Sequence, residues 1–430
     1  MSHGESFHMP GIRRSLPFNK TAYLLVLMLI SVNFFHFKPI APITDNDTTL
    51  VLFLGWLLAG HFLYKPPTRY LTLTVKRYYW PIYLIGLGVL ISFIPARVLY
   101  GQSFGMSFIT SRVMLSLLAL PFLAVVKPSW KEIEAAAKLF ATLLALVAIL
   151  DALGLPILDR TFFIDEERPR PLIDEDSYVM LLPGFHWNAI ALFFSLDRLK
   201  TKFTTRNLLS SLYFFALIFL LQNRSMLFIC AVLFAYTFFT LRGKTSTQTA
   251  LFRFISILIV AAGIGLTIPQ WLKLFKETAS QLSNDDYNRI LAYNYFLFNA
   301  CPNAIYYFTG TGLISAKVSS IMRDLMNSGI YNSDVGMIGL WNHYGILPVI
   351  AVFYVGIKAL RTKGAPLFIK FNAIFILIGS ATIACFNTID KILWLCTFIY
   401  LVYEKPEAMA EQPGREIPAG IQEYPDLAGS

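Results

Sequence analysis

Three residues of this chain stand where their chemistry would count: Arg224, Arg289 and Asp334. Arg224 lies at the tip of a tight hairpin, with only Asn223 beside it between apolar runs at 207–222 and 225–241. A guanidinium offers a planar fork of charge-assisted hydrogen bonds that suits phosphate. Two readings of Arg224 stand side by side: it projects into a cavity at the membrane surface, or it snorkels to lipid headgroups. Arg289 falls near the start of a helix that Ser283-Asn284-Asp285-Asp286 can cap. A helix N-terminus adds free N–H groups and partial positive charge, which favour an anion. A surface ion pair with Asp285 or Asp286 is the alternative. Asp334 leads into another apolar run, so its carboxylate could be partly desolvated and serve as a general base. Ser333 and Asp334 are equally good helix caps. His343 comes nine residues later, about 13 Å along a helix and on nearly the opposite face. One helix cannot easily aim both at one substrate, and a histidine so placed reads as a helix-packing hydrogen bonder.

Other patterns point away from metals and nucleotides. Asp174-Glu175-Asp176 is a loose acidic group, and a solvated charged loop explains it as well. The six histidines show no His-x-x-x-His spacing. Cys230, Cys301, Cys385 and Cys396 form no CxxC pair. Cys230 and Cys396 lie in apolar runs, where a thiol is a small buried hydrophobe. Cys301 and Cys385 could both face outward, but a disulfide between them is not expected. With no Gly-rich phosphate loop, ATP hydrolysis is not expected, and no metal or cofactor is expected either.

These side chains need elements to position them, and composition says what kind. Of 430 residues, 56% are hydrophobic and 14% charged, with a mean hydropathy of +0.57. Soluble domains carry about 25% charged residues. A surface this poor in charge needs lipid as its solvent. Twelve apolar runs can be read as spans, near 21–37, 47–64, 78–95, 107–126, 132–153, 179–197, 207–222, 225–241, 251–269, 334–357, 366–385 and 388–403. The expected fold is all-α: a polytopic transmembrane bundle of about 12 spans. Arg13, Arg14 and Lys20 precede the first run and no small-residue cleavage site follows it, so it reads as a retained anchor.

The net charge of +10 follows a topology signal rather than a nucleic-acid footprint. With both termini cytoplasmic, twenty-two of the 36 lysines and arginines fall on the inner side. Every inner loop between spans then holds at least two, as the positive-inside rule requires. Residues 1–20 form the inner N-terminus, 21–403 the membrane domain and 404–430 a disordered inner tail rich in Glu, Pro and Gly. Two outer segments are long, 154–178 and 270–333. Within the second, Ile314, Val318, Ile321, Met322 and Leu325 recur at helical spacing until Gly329. A long loop with its own helices is usually functional.

The order of these pieces resembles the bacterial O-antigen ligases and Wzy-type polysaccharide polymerases, a superfamily of membrane-embedded GT-C-like glycosyltransferases. Pro183-Gly184-Phe185-His186-Trp187-Asn188 is similar to the family's Gly-Phe…Asn signature, and Asn223-Arg224-Ser225 to its Ser-Arg-Gly turn. Arg289, then Gly310-Thr311-Gly312, resemble the arginine and Gly-x-Gly of the large outer loop. Ser333-Asp334-Val335-Gly336 with Tyr344-Gly345-Ile346-Leu347 resembles the closing motif. Asn223 replaces a usual Ser, Trp187 stands where Pro is frequent, and Asp334 stands where the ligases place a His. The last difference favours the polymerase branch.

What the resemblance implies is a metal-independent polymerase at the periplasmic face of the bacterial inner membrane. Its substrate would be an undecaprenyl-pyrophosphate-linked oligosaccharide repeat, built into O-antigen or exopolysaccharide. Arg224 and Arg289 would stabilise the leaving pyrophosphate and Asp334 would act as base. Arg168, Arg170, Asn188 and His343 would bind substrate. Membrane lipid, a chain-length regulator and the pathway's flippase are the implied partners, and nucleic acid is not. A ligase transferring glycan to lipid-A core is the alternative within the class. A lipid-linked oligosaccharide transporter is the alternative outside it, which would need internal repeats and charges at mid-membrane.

Overall fold

The computed structural model describes residues 19–37, 46–64, 79–153, 155, 184–220, 224–241, 247, 249, 250, 253, 254, 257, 288–315, 317–328, 330, 335–381 and 386–403. They form an all-helical bundle. In chain order the helices are α1 (Lys20–Ser31), α2 (Asn46–Tyr64), α3 (Trp80–Tyr100), α4 (Phe104–Thr110), α5 (Ala119–Val126), α6 (Trp130–Ala152), α7 (His186–Thr201), α8 (Thr205–Leu220) and α9 (Arg224–Phe239). After the long hydrophilic segment come α10 (Asn288–Asn294), α11 (Ile305–Thr309), α12 (Ser320–Asn327), α13 (Met337–Tyr344), α14 (Ile346–Arg361), α15 (Leu367–Gly379) and α16 (Ile389–Tyr403).

Local sequence explains the boundaries. Asn19 caps α1 by accepting from the N–H of Thr21 at 2.9 Å. Ser129 and Glu132 make a reciprocal capping box at α6: Glu132 N–H donates to the Ser129 hydroxyl and Ser129 N–H to the Glu132 carboxylate. Ser103 opens α4 in the same way through Met106 N–H. Thr204 does so for α8 through Asn207 N–H.

Among the described residues, three helices are long and apolar enough to cross a membrane: Asp47–Tyr64, Trp80–Tyr100 and Trp130–Leu150. The bent pair Phe104–Thr110 and Arg112–Val126, which turns by 61°, is apolar enough only when its two halves are taken together, as a broken span or a re-entrant loop. The run at 107–126, read from sequence as one continuous span, is thus broken at Ser111 and continues as a 3₁₀ turn over Arg112–Leu118. The run at 334–357 is broken too, at Gly345 between α13 and α14. The run at 251–269 and the tail 404–430 lie largely or wholly outside the described residues. After Ile314 the helix begins only at Ser320, later than the apolar spacing suggests.

At one end, here called the basic end, Lys20 donates to the carbonyl of Lys127, Lys200 to the hydroxyl of Thr240, and Leu367 N–H to Asp197. These contacts bring together the start of α1, the ends of α5, α7 and α9, and the start of α15. At the other, the motif end, Gly184 N–H donates to Asp390, so α7 and α16 begin side by side. The innermost helices are α7, buried from His186 through Asp197, and α16, buried over nearly its whole length. Stacking of Phe194 on Phe368 at 4.2 Å binds α7 to α15. Around them an apolar belt faces outward, with Val51, Leu90, Val98 and Phe228 all more than half exposed. Such a belt is stable against lipid and not against water.

Candidate active site

The motif end gathers the sequence motifs. Gly310-Thr311-Gly312 is laid against the last turn of α13. Thr311 N–H donates to the carbonyl of Asn342 at 2.8 Å, and Gly312 N–H to that of His343 at 2.9 Å. The contact is close because glycine stands on both sides. A Cβ on Gly310, at φ +76°, would sit 2.3 Å from His343 O. One on Gly345, also at φ +76°, would sit 2.1 Å from Phe308 O. At ψ −169° Gly345 occupies a region of backbone space that is nearly glycine-only. The helix break follows, because α13 cannot continue through it.

Side chains reinforce this seat. The His343 ring, buried, has Nδ1 3.0 Å from Gly312 O. Trp341 Nε1 donates to Tyr307 O at 2.6 Å. Asn342 Nδ2 donates to Cys301 Sγ at 3.2 Å, and the Thr311 hydroxyl reaches the Asn342 side chain. From the α3–α4 turn, Gln102 acts as a backbone surrogate. It donates to Leu313 O at 3.0 Å and accepts from Ser315 N–H at 2.9 Å. Thr110 adds a second donor to Leu313 O. The segment 310–315 is therefore fixed to two different helices.

The helix that carries Arg289 packs beside this seat. Ala292, Phe296 and Ala300 form a cluster with Val335. Tyr293 donates to Ala381 O. After Asn294 the helix widens into a π turn over Tyr295–Asn299, which sets the Phe296 ring edge-on to His343 at 6.1 Å. π turns are frequent at functional positions. Arg289 is three residues before Ala292, and Asp334 precedes Val335. Ala292 and Val335 thus meet, while Asp334 and the Arg289 side chain lie outside the described residues. Arg224 opens α9, and its side chain is likewise outside them. Arg168, Arg170 and the acidic group at 174–176 are also outside.

Asn188 stands in the first turn of α7, fully buried, and neither amide atom has a hydrogen-bond partner among the described residues. Beside it His186 and Trp187 are also fully buried, and their ring nitrogens have none either. His186 Nδ1 is 3.8 Å from Asp390 Oδ2, beyond hydrogen-bond reach, and its ring stacks on Trp394 at 5.1 Å. Sequence reading missed Asp390, Gln102 and Asn342 as members of this end. A carboxylate just inside the last apolar run was the available signal for Asp390. Glu134 and Asp197, also inside predicted spans, were overlooked in the same way. Nothing local distinguishes Gln102 or Asn342 from ordinary polar residues.

Cys301, just after the π turn, is nearly buried, and burial pushes its thiol up to about 11 despite the amide donor from Asn342. Cys230 and Cys396 are fully buried, as expected for residues in apolar runs. Cys385 lies outside the described residues. Among the described residues no three of His, Cys, Asp and Glu come close enough to share a metal ion.

Compared with known proteins, the chain matches no family model, and no curated protein matches it significantly.

Proposed function

We propose that this protein joins undecaprenyl-pyrophosphate-linked oligosaccharide repeats into a polysaccharide at the periplasmic face of the bacterial inner membrane. The observation that most supports this reading is the packing of Ala292 and Phe296 on Val335. It draws the two segments that the resemblance makes catalytic, around Arg289 and Asp334, to one end of the bundle. The Gly310-Thr311-Gly312 seat on α13 adds the third motif of the same resemblance.

In the proposed reaction the acceptor sugar hydroxyl gives its proton to Asp334. The oxygen then bonds to the anomeric carbon of the donor repeat. The bond from that carbon to the pyrophosphate oxygen breaks, and its electron pair leaves with the lipid pyrophosphate. Arg289 and Arg224 face this growing charge in the role a metal ion fills elsewhere. Arg168 and Arg170 guide the glycan or its phosphates. Holding donor and acceptor together supplies much of the rate.

The test is to mix purified protein with the lipid-linked repeat, without nucleotide or divalent metal, and read products as a ladder on a gel. Wild type gives a ladder, and Arg289→Ala loses about 10²–10³-fold in rate, the cost of one donor at a developing anion. Transfer to added lipid-A core in place of a ladder would assign the ligase activity. No transfer from folded protein to any acceptor would favour the transporter.

A further inference from the structure

The last turns of α3 bear the Gly310-Thr311-Gly312 segment, and they also bear a cation that the segment does not use. A Cβ on Gly312, at φ +84°, would sit 2.6 Å from Ala96 Cβ and 2.9 Å from Ser92 O, so the motif lies directly on α3. Arg97 follows Ala96 and is exposed. A guanidinium has five N–H donors. Among the described residues its one side-chain hydrogen bond is from Nη1 to Gly101 O, at 3.1 Å. Next in the chain, Gln102 holds Ser315 N–H, and Lys317 stands exposed two residues beyond. Arg97 and Lys317 thus flank one clip. Neither forms an ion pair among the described residues, whereas Arg112, at the same end, is paired with Asp47. Two exposed cations without carboxylates suit an anion that carries more than one charge.

The face of α3 that leads to Arg97 is apolar. At 3.6 residues per turn, Tyr83, Leu90, Ile94, Arg97 and Val98 fall within about 100° of one another. The four apolar members are each more than half exposed. From Tyr83 to Arg97 the strip runs about 21 Å at 1.5 Å per residue. That is more than half of a hydrocarbon core about 30 Å thick. The tails of an ordinary phospholipid stop at the midplane, so the strip matches a longer chain.

We propose that Arg97 and Lys317 seat the diphosphate of a lipid-linked glycan, with its long lipid tail laid along this strip of α3. The cations and the strip are exposed, so the seat fills without any movement of the protein. It holds the headgroup beside Gly312 in the ground state, and therefore acts on affinity rather than on the chemical step. The choice of a glycan carrier as occupant rests on the glycan-polymerising reading above.

The test uses the full protein in nanodiscs of neutral phosphatidylcholine, titrated with undecaprenyl diphosphate. Arg97→Gln should weaken binding about tenfold, and Arg97→Gln with Lys317→Gln about a hundredfold, one charge-assisted contact each. Both side chains are exposed, so these variants should melt close to wild type. Arg112→Gln, which removes a cation already paired, should bind like wild type. In the ladder assay Arg97→Gln should raise KM for the lipid-linked repeat about tenfold with kcat little changed. Equal weakening by Arg112→Gln would reduce the effect to net charge and overturn the seat. Equal competition by phosphatidylglycerol would make the pair an anchor for bulk lipid and overturn it too. A wild-type ladder with undiminished binding in the double variant overturns the seat alone. Arg97-dependent binding without any ladder supports the seat and overturns the polymerase. Neither ladder nor Arg97-dependent binding overturns both.

Discussion

At the basic end of the bundle, Glu134 is buried and doubly answered. Arg198 grips it with two nitrogens at 2.5 Å each and Lys138 donates at 2.7 Å. Asp197 accepts the free N–H that opens α15. At the motif end, by contrast, the His186, Trp187 and Asn188 side chains are fully buried, and their polar atoms and His343 Nε2 have no hydrogen-bond partner among the described residues. Breaks at Ser111 and Gly345, a π turn and several left-handed glycines all collect there or next to it. Native interiors answer nearly all buried polar groups. Where they do not, and where backbone is held in sparsely populated conformations, the surrounding structure is maintaining something other than stability. One end is built as a clamp of ion pairs, and the other carries the strained backbone.

That contrast can be tested by substitutions at each end. The largest expected loss is from Gly345→Ala, which combines a strained φ with a collision into Phe308 O. It should cost ~4 kcal/mol, read as a lower denaturation midpoint in detergent. It should also free the Gly310–Gly312 segment to exchange its amide hydrogens. If Gly345→Ala were neutral, the seat of the outer loop on α13 would be wrong. Next in size is Glu134→Gln at the basic end. Removing a buried partner of two cations should cost ~3 kcal/mol, at the low end for such pairs because Arg198 is partly exposed and can be rehydrated. The proposed glycan polymerisation by the folded fraction should be unchanged. A specific loss of activity without loss of stability would overturn the assignment of that end to structure alone.

The smallest effect concerns Cys301. With its thiol raised to about 11 by burial, it is neutral up to pH 9 and a poor nucleophile. Alkylation by iodoacetamide at pH 8 should be much slower than for a free thiol. It should become faster only as the pH approaches the raised value. Rapid labelling at neutral pH would show that the loop over Asn342 opens readily, and would sharpen the contrast further. Cys301→Ser should leave stability within about 0.5 kcal/mol, as a small isosteric change at a weak hydrogen bond.

Much of this architecture is legible in the chain. Apolar runs near 47–64, 78–95 and 132–153 become the three helices able to cross a membrane, because twenty apolar residues in a row have little choice but a helix in lipid. Capping residues such as Ser129 with Glu132 act through neighbours three positions away, so they too can be read locally. The Gly-Thr-Gly motif could be singled out, but its partner could not. Positive φ at Gly310 and Gly345 is forced by backbone atoms more than thirty residues away in the chain. The breaks within 107–126 and 334–357 escaped for the same reason, since hydropathy averages over them.

The sequence by itself determined that this chain is helical and lipid-seeking, where its basic residues accumulate, and which motifs stand in which order. Those properties are sums over local composition, insensitive to which helix neighbours which. Only the tertiary structure decided that Glu134 is gripped by Arg198 and Lys138, that His186 stands beside Asp390, that His343 is held against Gly312 O, and that the Arg289 helix meets the start of α13. Each of these depends on a contact between segments distant in sequence, where a shift of one ångström separates a hydrogen bond from an orphaned atom.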